Sequence, residues 1–451
     1  MHSKALNKNS ILISLLGLII IYGIILILPV PAFSGIYYVS VNGDDSHPGT
    51  LDQPWRTIQK AADFVQAGDT VIVQSGTYDE RVLLPSGKSG SAVAKITFKA
   101  DPRRSVYMKG FRGDRNNYIR IEGFNITYNA GGWLGGGIWL DGNDWEIVGN
   151  YFYEVAGAAI QPTWQSGRTT NNIYVADNKM YKCNKGFIVG GYNWLVEKNE
   201  VERLVYYSED ADYLRFFGEN HIIRNNLFHG TKPEEIGSSH VDGFQTFDNN
   251  GNFARNIIIE GNRVLGFYHQ GIMIGNATEG AIANITVRNN IFANSSSWGI
   301  CAYGVSNLKV YNNVFAYIDS SAIGLRAYTD GPVTTAEIKN NIFYVFGAPY
   351  WTEGGSTVDA SNNILYKGSG SLDPGRYPKD ICNQDPIFLD PARLDFRLQS
   401  GSPAIDAGVP LVGFSYDIVG TPRPQGNGWD IGAYEFEYQR PMSPRNLRIA
   451  N

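Results

Sequence analysis

Two nearby segments, YSEDADYLRFF and TKPEEIGSSHVDGFQTF, concentrate side chains that could carry out chemistry. The second segment contains His240 and Asp242, in a chain that has only six histidines. A histidine can be neutral near pH 7 and then accept a proton. Neighbouring carboxylates can act as an acid and base pair or hold a metal ion. Asp-Gly is also common in ordinary turns, so a solvated turn is the alternative interpretation.

Aligning the two segments on Leu214 and Phe244 predicts which side chains stack on neighbouring turns of a repeat. The predicted pairs are Asp210 with His240, Asp212 with Asp242, and Arg215 with Gln245. The following segment, aligned on Ile272, adds Tyr268, His269, Gln270 and Met273 to the same columns. Because strand side chains alternate, Arg215 and Gln245 should point outward, with Phe217 and Phe247 exposed beside them. Exposed aromatic rings of this kind suit stacking against a sugar.

A repeat explains how these segments could be held in register. A short apolar strand followed by asparagine, or by Phe124 in the first case, recurs about every 27 residues. The repeated positions are Asn150, Asn178, Asn199, Asn226, Asn262, Asn290, Asn313, Asn341 and Asn363. The pattern predicts an all-β fold, a single-stranded right-handed parallel β-helix (solenoid), in which these amides form a hydrogen-bonded ladder.

Two turns of this repeat are longer than the others. The interval from the ladder asparagine to the next core residue is nine or ten residues in most repeats. It is fifteen from Asn199 to Leu214 and eighteen from Asn226 to Phe244. Insertions on adjacent turns of a solenoid project from one face, so these two turns should form the wall of a binding site.

The ends of the chain differ from the repeat. Lys4 and Lys8 precede a long apolar run, which predicts a signal peptide or a membrane anchor and therefore a secreted or cell-surface protein. The segment WRTIQKAADFVQAGD predicts an N-terminal capping helix that ends at Gly68. The predicted regions are 1–34 (signal peptide or anchor), 35–110 (N-terminal cap and first coils), 111–370 (repeats), 371–437 (C-terminal coils and cap) and 438–451 (linker or frayed tail).

Composition narrows the class of partner. The formal net charge is −5, and it becomes −7 without Lys4 and Lys8. Nucleic acid is therefore not expected as a partner, because its binding needs clustered cations. The three cysteines are far apart and indicate neither a disulfide framework nor a metal knuckle. We expect a monomer that contacts a membrane only through its N-terminal segment.

The start of the mature chain, YYVSVNGDDSHPGTLDQPWRTIQKAADFVQAGDTVIVQSGTYDERV, resembles that of the extracellular, pectate-lyase-like β-helix polysaccharide lyases. The segments SPAIDAG and DIVGTPRPQGNGWDIGAYE resemble a C-terminal region of the same broad group. The resemblance implies a β-helix that acts on polysaccharide. Lyases of this group use aspartates clustered on successive coils and a lysine base. This sequence has no compact aspartate run, so those roles cannot be transferred to its residues.

Three functional hypotheses follow. In the favoured one, a polysaccharide lyase, Arg215 or a calcium ion held by Asp210, Asp212 and Asp242 neutralises a substrate uronate, and His240 or Lys232 removes the adjacent proton. The substrate-binding residues would be Phe217, Gln245, Phe247, His269 and Gln270. The second hypothesis is a glycoside hydrolase that uses Asp212 and Asp242. The third is a non-catalytic adhesin or polysaccharide-binding solenoid.

Overall fold

The computed structural model describes residues 34–438, except for 130–134, 164, 166, 208, 209 and 329. Residues 1–33 of the predicted signal peptide or anchor (1–34) and residues 439–451 of the predicted tail (438–451) lie outside this range. No helix within it is long and apolar enough to cross a membrane. Parallel strands stack coil upon coil into a solenoid with three faces, so the predicted all-β solenoid is confirmed.

The strands of the first face lead up to the ladder positions. They are Ile36–Val39, Thr70–Thr77, Ile96–Met108, Ile119–Glu122, Glu146–Val148, Tyr174–Ala176, Leu195–Glu197, Ile222–Arg224, Ala254–Glu260, Ile282–Arg288, Ser306–Tyr311, Thr335–Lys339 and Thr357–Ser361, with Gly218–Glu219 beside them.

The strands of the second face follow the ladder positions. They begin with the ends of Thr70–Thr77 and Ile96–Met108 and continue with Asn125–Ile126, Tyr151–Tyr153, Lys179–Tyr181, Glu200–Glu202, Leu227–His229, Arg263–Phe267, Ile291–Ser295, Val314–Arg326, Ile342–Thr352, Ile364–Tyr366 and Ile381–Cys382.

The third face carries the two polar segments. Its strands are Arg81–Leu83, Gly110–Arg112, Ile138–Leu140, Ala158–Pro162, Lys185–Val189, Leu214–Phe216, Phe244–Phe247, Gln270–Gly275 and Trp298–Tyr303, followed by the second halves of Val314–Arg326 and Ile342–Thr352. Alternation sends Leu214, Phe244 and Ile272 into the core and leaves the intervening side chains on the outer side.

The asparagine ladder forms as predicted. Asn262 is typical: its Oδ1 accepts hydrogen bonds from the backbone and the side chain of Asn226, each at 3.0 Å. Its Nδ2 donates to Ile223 O at 2.9 Å and to Asn290 Oδ1 at 3.0 Å. Every polar atom of this buried amide is therefore satisfied, which is the condition for placing asparagine in a core.

The first asparagine of each NN pair has a separate role. It adopts a left-handed backbone conformation, with φ between 51° and 58° at Asn289, Asn312, Asn340 and Asn362. Asparagine tolerates this region better than most residues, so it can turn the chain just before the ladder position. The side chains of these same four asparagines donate hydrogen bonds to the C-terminal segment, at Tyr416 O, Asp430 O, Val409 O and Ala407 O.

In the described part of the chain, the helices lie outside the stacked strands of the solenoid. The N-terminal helix, α1, spans Ile58–Phe64 and buries Ile58, Ala61 and Ala62 against the first coils. It ends four residues before the predicted Gly68, because Val65 already has extended backbone. The second helix, α2, spans Pro233–Ile236 in the longer insertion. Short 3₁₀ turns span Asn249–Gly251, Pro374–Arg376 and Pro391–Arg393.

The C-terminal region does more than close the last coil. A small antiparallel pair, Phe388–Asp390 and Asp395–Leu398, joins an apolar cluster at that end. The chain then runs back along the solenoid, where Arg423 and Glu435 form an ion pair at 2.6 Å with both side chains fully buried. The C-terminal segment is thus a strap along several coils.

Candidate functional site

The third face brings the predicted polar residues together in the predicted register. Leu214 pairs with Phe244 and Arg215 with Gln245, while Phe244 pairs with Ile272. The two long turns stack on each other through backbone hydrogen bonds, from Ala211 N to His240 O and from Tyr213 N to Asp242 O. The alignment made from sequence therefore holds on this face.

Asp212 and Asp242 lie one above the other but have no exposed surface. Asp212 Oδ1 accepts the backbone N–H of Asp242 at 3.1 Å, and Asp242 Oδ1 accepts that of Gln270 at 2.8 Å. The two carboxylates therefore hold consecutive coils together, beneath the turns that carry them. A carboxylate fully enclosed by protein cannot protonate or attack a sugar directly.

The second oxygen of each carboxylate has a different partner. Arg215 Nε donates to Asp212 Oδ2 at 2.6 Å, whereas Gln245 Nε2 donates to Asp242 Oδ2 at 2.9 Å. Burial raises the pKa of Asp242 well above its usual value, and the nearby charge of Asp212 raises it further. Asp242 therefore keeps its proton to a higher pH than an ordinary aspartic acid does.

Arg215 connects the buried pair to the surface. Its side chain retains 16% of its exposure, and Nη2 lies 3.6 Å from Asp210 Oδ2. The Asp210 side chain is 50% exposed. The guanidinium is therefore held tightly on its buried side by Asp212 and loosely on its outer side by Asp210. Its plane also faces Phe247, with Cζ 5.9 Å from the ring centroid.

A histidine pair lies beside this arginine cluster. The rings of His240 and His269 are 3.7 Å apart between centroids, with His240 exposed and His269 half-buried. Burial lowers the pKa of His269, and the neighbouring His240 lowers it further. The Nδ1 atom of His269 is buried and has no hydrogen-bond partner. Neutral imidazole is thus favoured at His269.

The geometry does not fit the calcium site expected at Asp210, Asp212 and Asp242. Calcium needs six to eight oxygen ligands around an open centre. Here the Arg215 guanidinium lies where such a cation would contact Asp210 and Asp212, and Gln245 takes the outer oxygen of Asp242. One donor atom from each of His240, Asp242 and His269 lies within 4.8 Å of the others. A set of two histidines and one carboxylate suits a transition metal instead.

Two of the predicted substrate contacts are covered. Phe217 faces outward as predicted, but it is only 6% exposed, because it packs edge-on against Phe247 at 5.0 Å. Gln245 is buried too, with its amide held by Asp242. Phe247 and Gln270 keep partly exposed side chains, and the Oε1 atom of Gln270 is buried without a hydrogen-bond partner.

Lys232 lies exposed immediately before α2. Among the described residues no carboxylate forms an ion pair with it, and α2 is instead tied down through Glu235, which pairs with Arg203. A lysine acts as a base where burial or a neighbouring cation favours its neutral amine. Lys232 is exposed, whereas His240 lies against His269 on the outer side of the third face, so His240 is the better candidate base.

The sequence alignment did not identify two cationic residues that lie near the site. Lys185 precedes the core residue Phe187 by two positions, as Asp212 precedes Leu214, and Phe187 pairs with Leu214. It is buried, and its Nζ donates to Asn184 Oδ1 at 2.7 Å. Extending the alignment one coil earlier would have found it. Arg326 lies on the other side of the histidines, in contact with three aromatic rings.

Comparisons with known proteins agree with this architecture. Residues 37–193 match the family model of a Pel9A-like right-handed β-helix region, and residues 238–372 match that of a right-handed β-helix region. The chain is 24% identical to an uncharacterised protein, YwoF, of Bacillus subtilis over 82% of this chain and 92% of that one. A stretch of 73 residues, 16% of this chain and 18% of the relative, is 38% identical to pectate lyase PEL9 of Emericella nidulans.

Solved structures show the same fold. The structure of pectate lyase Pel9A aligns with a TM-score of 0.53 at 18% identity, covering 90% of this chain and 97% of that one. XylC in complex with xylose aligns with a TM-score of 0.61 at 13% identity, covering 89% and 99%. The chain therefore has the right-handed parallel β-helix fold, and its residues 37–193 are similar to the β-helix region of the Pel9A-like family.

Proposed function

We propose that this chain is an exported, carbohydrate-active protein that cleaves a uronate-containing polysaccharide by β-elimination. The observation that carries the proposal is the juxtaposition, on the outer side of one face, of an exposed histidine, a second histidine that favours its neutral form, and a partly exposed arginine. The similarity of a 73-residue stretch to a pectate lyase supports a polysaccharide substrate.

The reaction needs a base and a cation. In β-elimination a base removes the proton on the carbon next to the uronate carboxylate, the glycosidic oxygen on the following carbon leaves with its bonding electrons, and a carbon–carbon double bond forms. The exposed His240 accepts the proton at an imidazole nitrogen. His269, held neutral beside it, adds no positive charge that would oppose this step.

Arg215 supplies the positive charge that stabilises the carboxylate as the proton leaves. Its Nε is fixed by Asp212 at 2.6 Å, so the orientation of the guanidinium is set from the buried side. The contact of Nη2 with Asp210, at 3.6 Å, is looser and faces solvent. A substrate carboxylate can therefore replace Asp210 at the outer nitrogens without breaking the buried pair.

The structure offers less support for the alternatives. Hydrolysis by Asp212 and Asp242 would require exposed carboxylates, and both are enclosed and hydrogen-bonded to backbone. A purely adhesive role would leave the histidine pair without a chemical use. Neither alternative needs a cation aimed at a carboxylate.

The test is a screen of uronate polysaccharides that follows ultraviolet absorbance of the unsaturated product and, separately, new reducing ends. We expect absorbance with the wild type and its loss in His240→Gln. His229→Gln is the matched control, because His229 is half-buried on the second face and paired with Glu200. Full activity of His240→Gln, or reducing ends without absorbance, would contradict the proposal. Glycan binding with neither signal would favour the adhesin.

Measuring activity after exhaustive chelation distinguishes His240 acting as a base from His240 acting as a metal ligand. If His240 works as a free imidazole, a metal-stripped protein should retain its rate. Loss of activity on chelation, restored by a divalent transition metal, would instead assign the two histidines and Asp242 to a metal.

A further inference from the structure

We propose that Arg326 and the rings of Trp298, Tyr303 and Trp351 form a second binding subsite, which holds a carboxylate-bearing sugar of the same substrate chain. This inference rests on the proposed function for the class of substrate, an anionic polysaccharide. The subsite lies outside the residues that would carry out the elimination. We call these four residues the aromatic–arginine platform.

The platform continues the outer surface of the site. Gln270, next to His269, pairs directly with Trp298 on the following strand. Gly275 pairs with Tyr303, which in turn pairs with Arg326. Gly324, on the strand of Arg326, pairs in turn with Trp351. Since parallel strands are about 4.8 Å apart, the platform begins one strand from His269 and ends three strands away, about 14 Å along the solenoid axis.

The platform is built into the fold. A Cβ atom on Gly324 would lie 2.4 Å from the Trp298 ring and 3.2 Å from the Trp351 ring. The two indoles therefore pack directly against the backbone of Gly324, in space that a larger side chain would occupy. Trp351 is fixed by a hydrogen bond from Nε1 to Ser321 Oγ at 3.0 Å. The two indoles meet edge to face at 5.5 Å. Such packing preorganises the surface for a ligand.

Arg326 lies against all three rings. Its Cζ is 4.7 Å from the Tyr303 ring centroid, 5.6 Å from that of Trp298 and 5.7 Å from that of Trp351. Its only ion pair among the described residues is with Glu353, at 3.1 Å, and the Glu353 side chain is 50% exposed. The arginine therefore presents fixed positive charge, while its counter-ion remains in water and is exchangeable.

The surface between the site and the platform is also aromatic. Tyr328 stacks on Tyr303 at 4.6 Å and is exposed. Its hydroxyl lies 3.5 Å from the position of a Cβ on Gly275, and Phe247 is 3.6 Å from the same position. Aromatic residues thus continue from Phe247, beside Arg215, through Tyr328 to Tyr303, beside Arg326.

This combination selects a particular chemistry. Aromatic faces stack against the apolar face of a pyranose ring, and a guanidinium pairs with a carboxylate through two parallel hydrogen bonds. A neutral glycan would gain only the first interaction. A uronate polymer lying along the solenoid axis would place one carboxylate at Arg215 and another at Arg326.

The experiment is affinity electrophoresis through gels containing polygalacturonate, alginate or hyaluronate, with the catalytically silent His240→Gln protein as the background. Arg326→Gln should weaken binding to the preferred polymer about tenfold. The matched control is Arg255→Gln, because Arg255 also lies over a ring, that of Phe253 at 5.3 Å, but on the first face. It should bind as strongly as its parent.

The outcomes separate this inference from the proposed function. Equal binding of the Arg326→Gln protein and its parent, equal binding of the polymer and its methyl-esterified form, or no binding to any of the three polymers would overturn the platform. Arg326-dependent binding, together with no unsaturated product from the wild-type protein on the bound polymer, would overturn the lyase and leave the platform intact. Circular dichroism of each variant checks that the coil is folded.

Discussion

Replacing Asp212 by asparagine should destabilise the fold far more than the same replacement at Asp210, although both carboxylates contact Arg215. Asp212 is fully buried and accepts from Arg215 Nε at 2.6 Å, whereas Asp210 is half-exposed at 3.6 Å. In Asp212→Asn, the remaining side-chain oxygen can still accept the N–H of Asp242. The atom that faces Arg215 Nε is then an NH₂ nitrogen, which cannot accept this hydrogen bond and carries no negative charge. The guanidinium then keeps one loose partner.

The magnitude follows from burial. Removing one member of a buried ion pair costs about 3 to 5 kcal/mol, and the residual exposure of Arg215 places this case near 3 kcal/mol. An exposed pair such as that with Asp210 contributes about 0.2 to 1 kcal/mol. Because Asp210 competes with the substrate carboxylate, Asp210→Asn should also lower KM for a uronate polymer.

Urea unfolding followed by circular dichroism measures both variants, with the slope of the transition checked for constancy. The reasoning predicts that the midpoint falls clearly for Asp212→Asn and hardly moves for Asp210→Asn. Two equal losses would show that Arg215 is not anchored from its buried side. An unchanged or higher KM in Asp210→Asn would refute the exchange of carboxylates on the outer side.

Three further predictions concern the ladder and the buried histidines. Asn262→Leu orphans ladder amides and should cost about 4 kcal/mol of unfolding free energy by urea titration, against less than about 1 kcal/mol for Asn284→Gly, an exposed position with positive φ. In an NMR titration, the pKa of His269 should lie below the usual histidine range. The substitution His240→Gln should raise this pKa only partly, because burial, the larger cause of the lowering, remains. Burial lowers the pKa of His221 to about 4, so the unfolded chain takes up a proton before the folded one does. Stability should therefore fall as pH drops from about 6.5 towards 4, and His221→Gln should flatten that part of the urea-midpoint curve.

The fold could be predicted because a ladder asparagine occupies the same position in successive coils and so fixes the register between them. Asn226 and Asn262 occupy the same place in successive repeats, and a ladder fixes the stacking of everything between them. The pairing of Arg215 with Gln245 followed from that register alone. Local repetition of this kind gives the sequence a direct link to the three-dimensional neighbours of each residue.

The depth of the site could not be predicted from the same pattern. Alternation gives the side of a strand on which a residue lies, but not what folds over it. Ile236 and Val241, in the longer turn, are buried, and the two turns bond to each other above Asp242. These contacts are made by residues of the two insertions, so the repeat pattern carries no signal for them. Phe217 is covered for a related reason, since the neighbouring ring of Phe247 packs against it.

The strap formed by the C-terminal segment affects how the molecule unfolds. A stack whose units touch only their neighbours can lose coils one at a time from an exposed end. Here Asn289, Asn312, Asn340 and Asn362, from four successive coils, hold one continuous segment of backbone. Opening the last coil therefore also disturbs contacts made three coils earlier. The last four coils should consequently melt as a single cooperative unit, giving the distal part of the binding face a resistance to fraying that coil stacking alone would not provide.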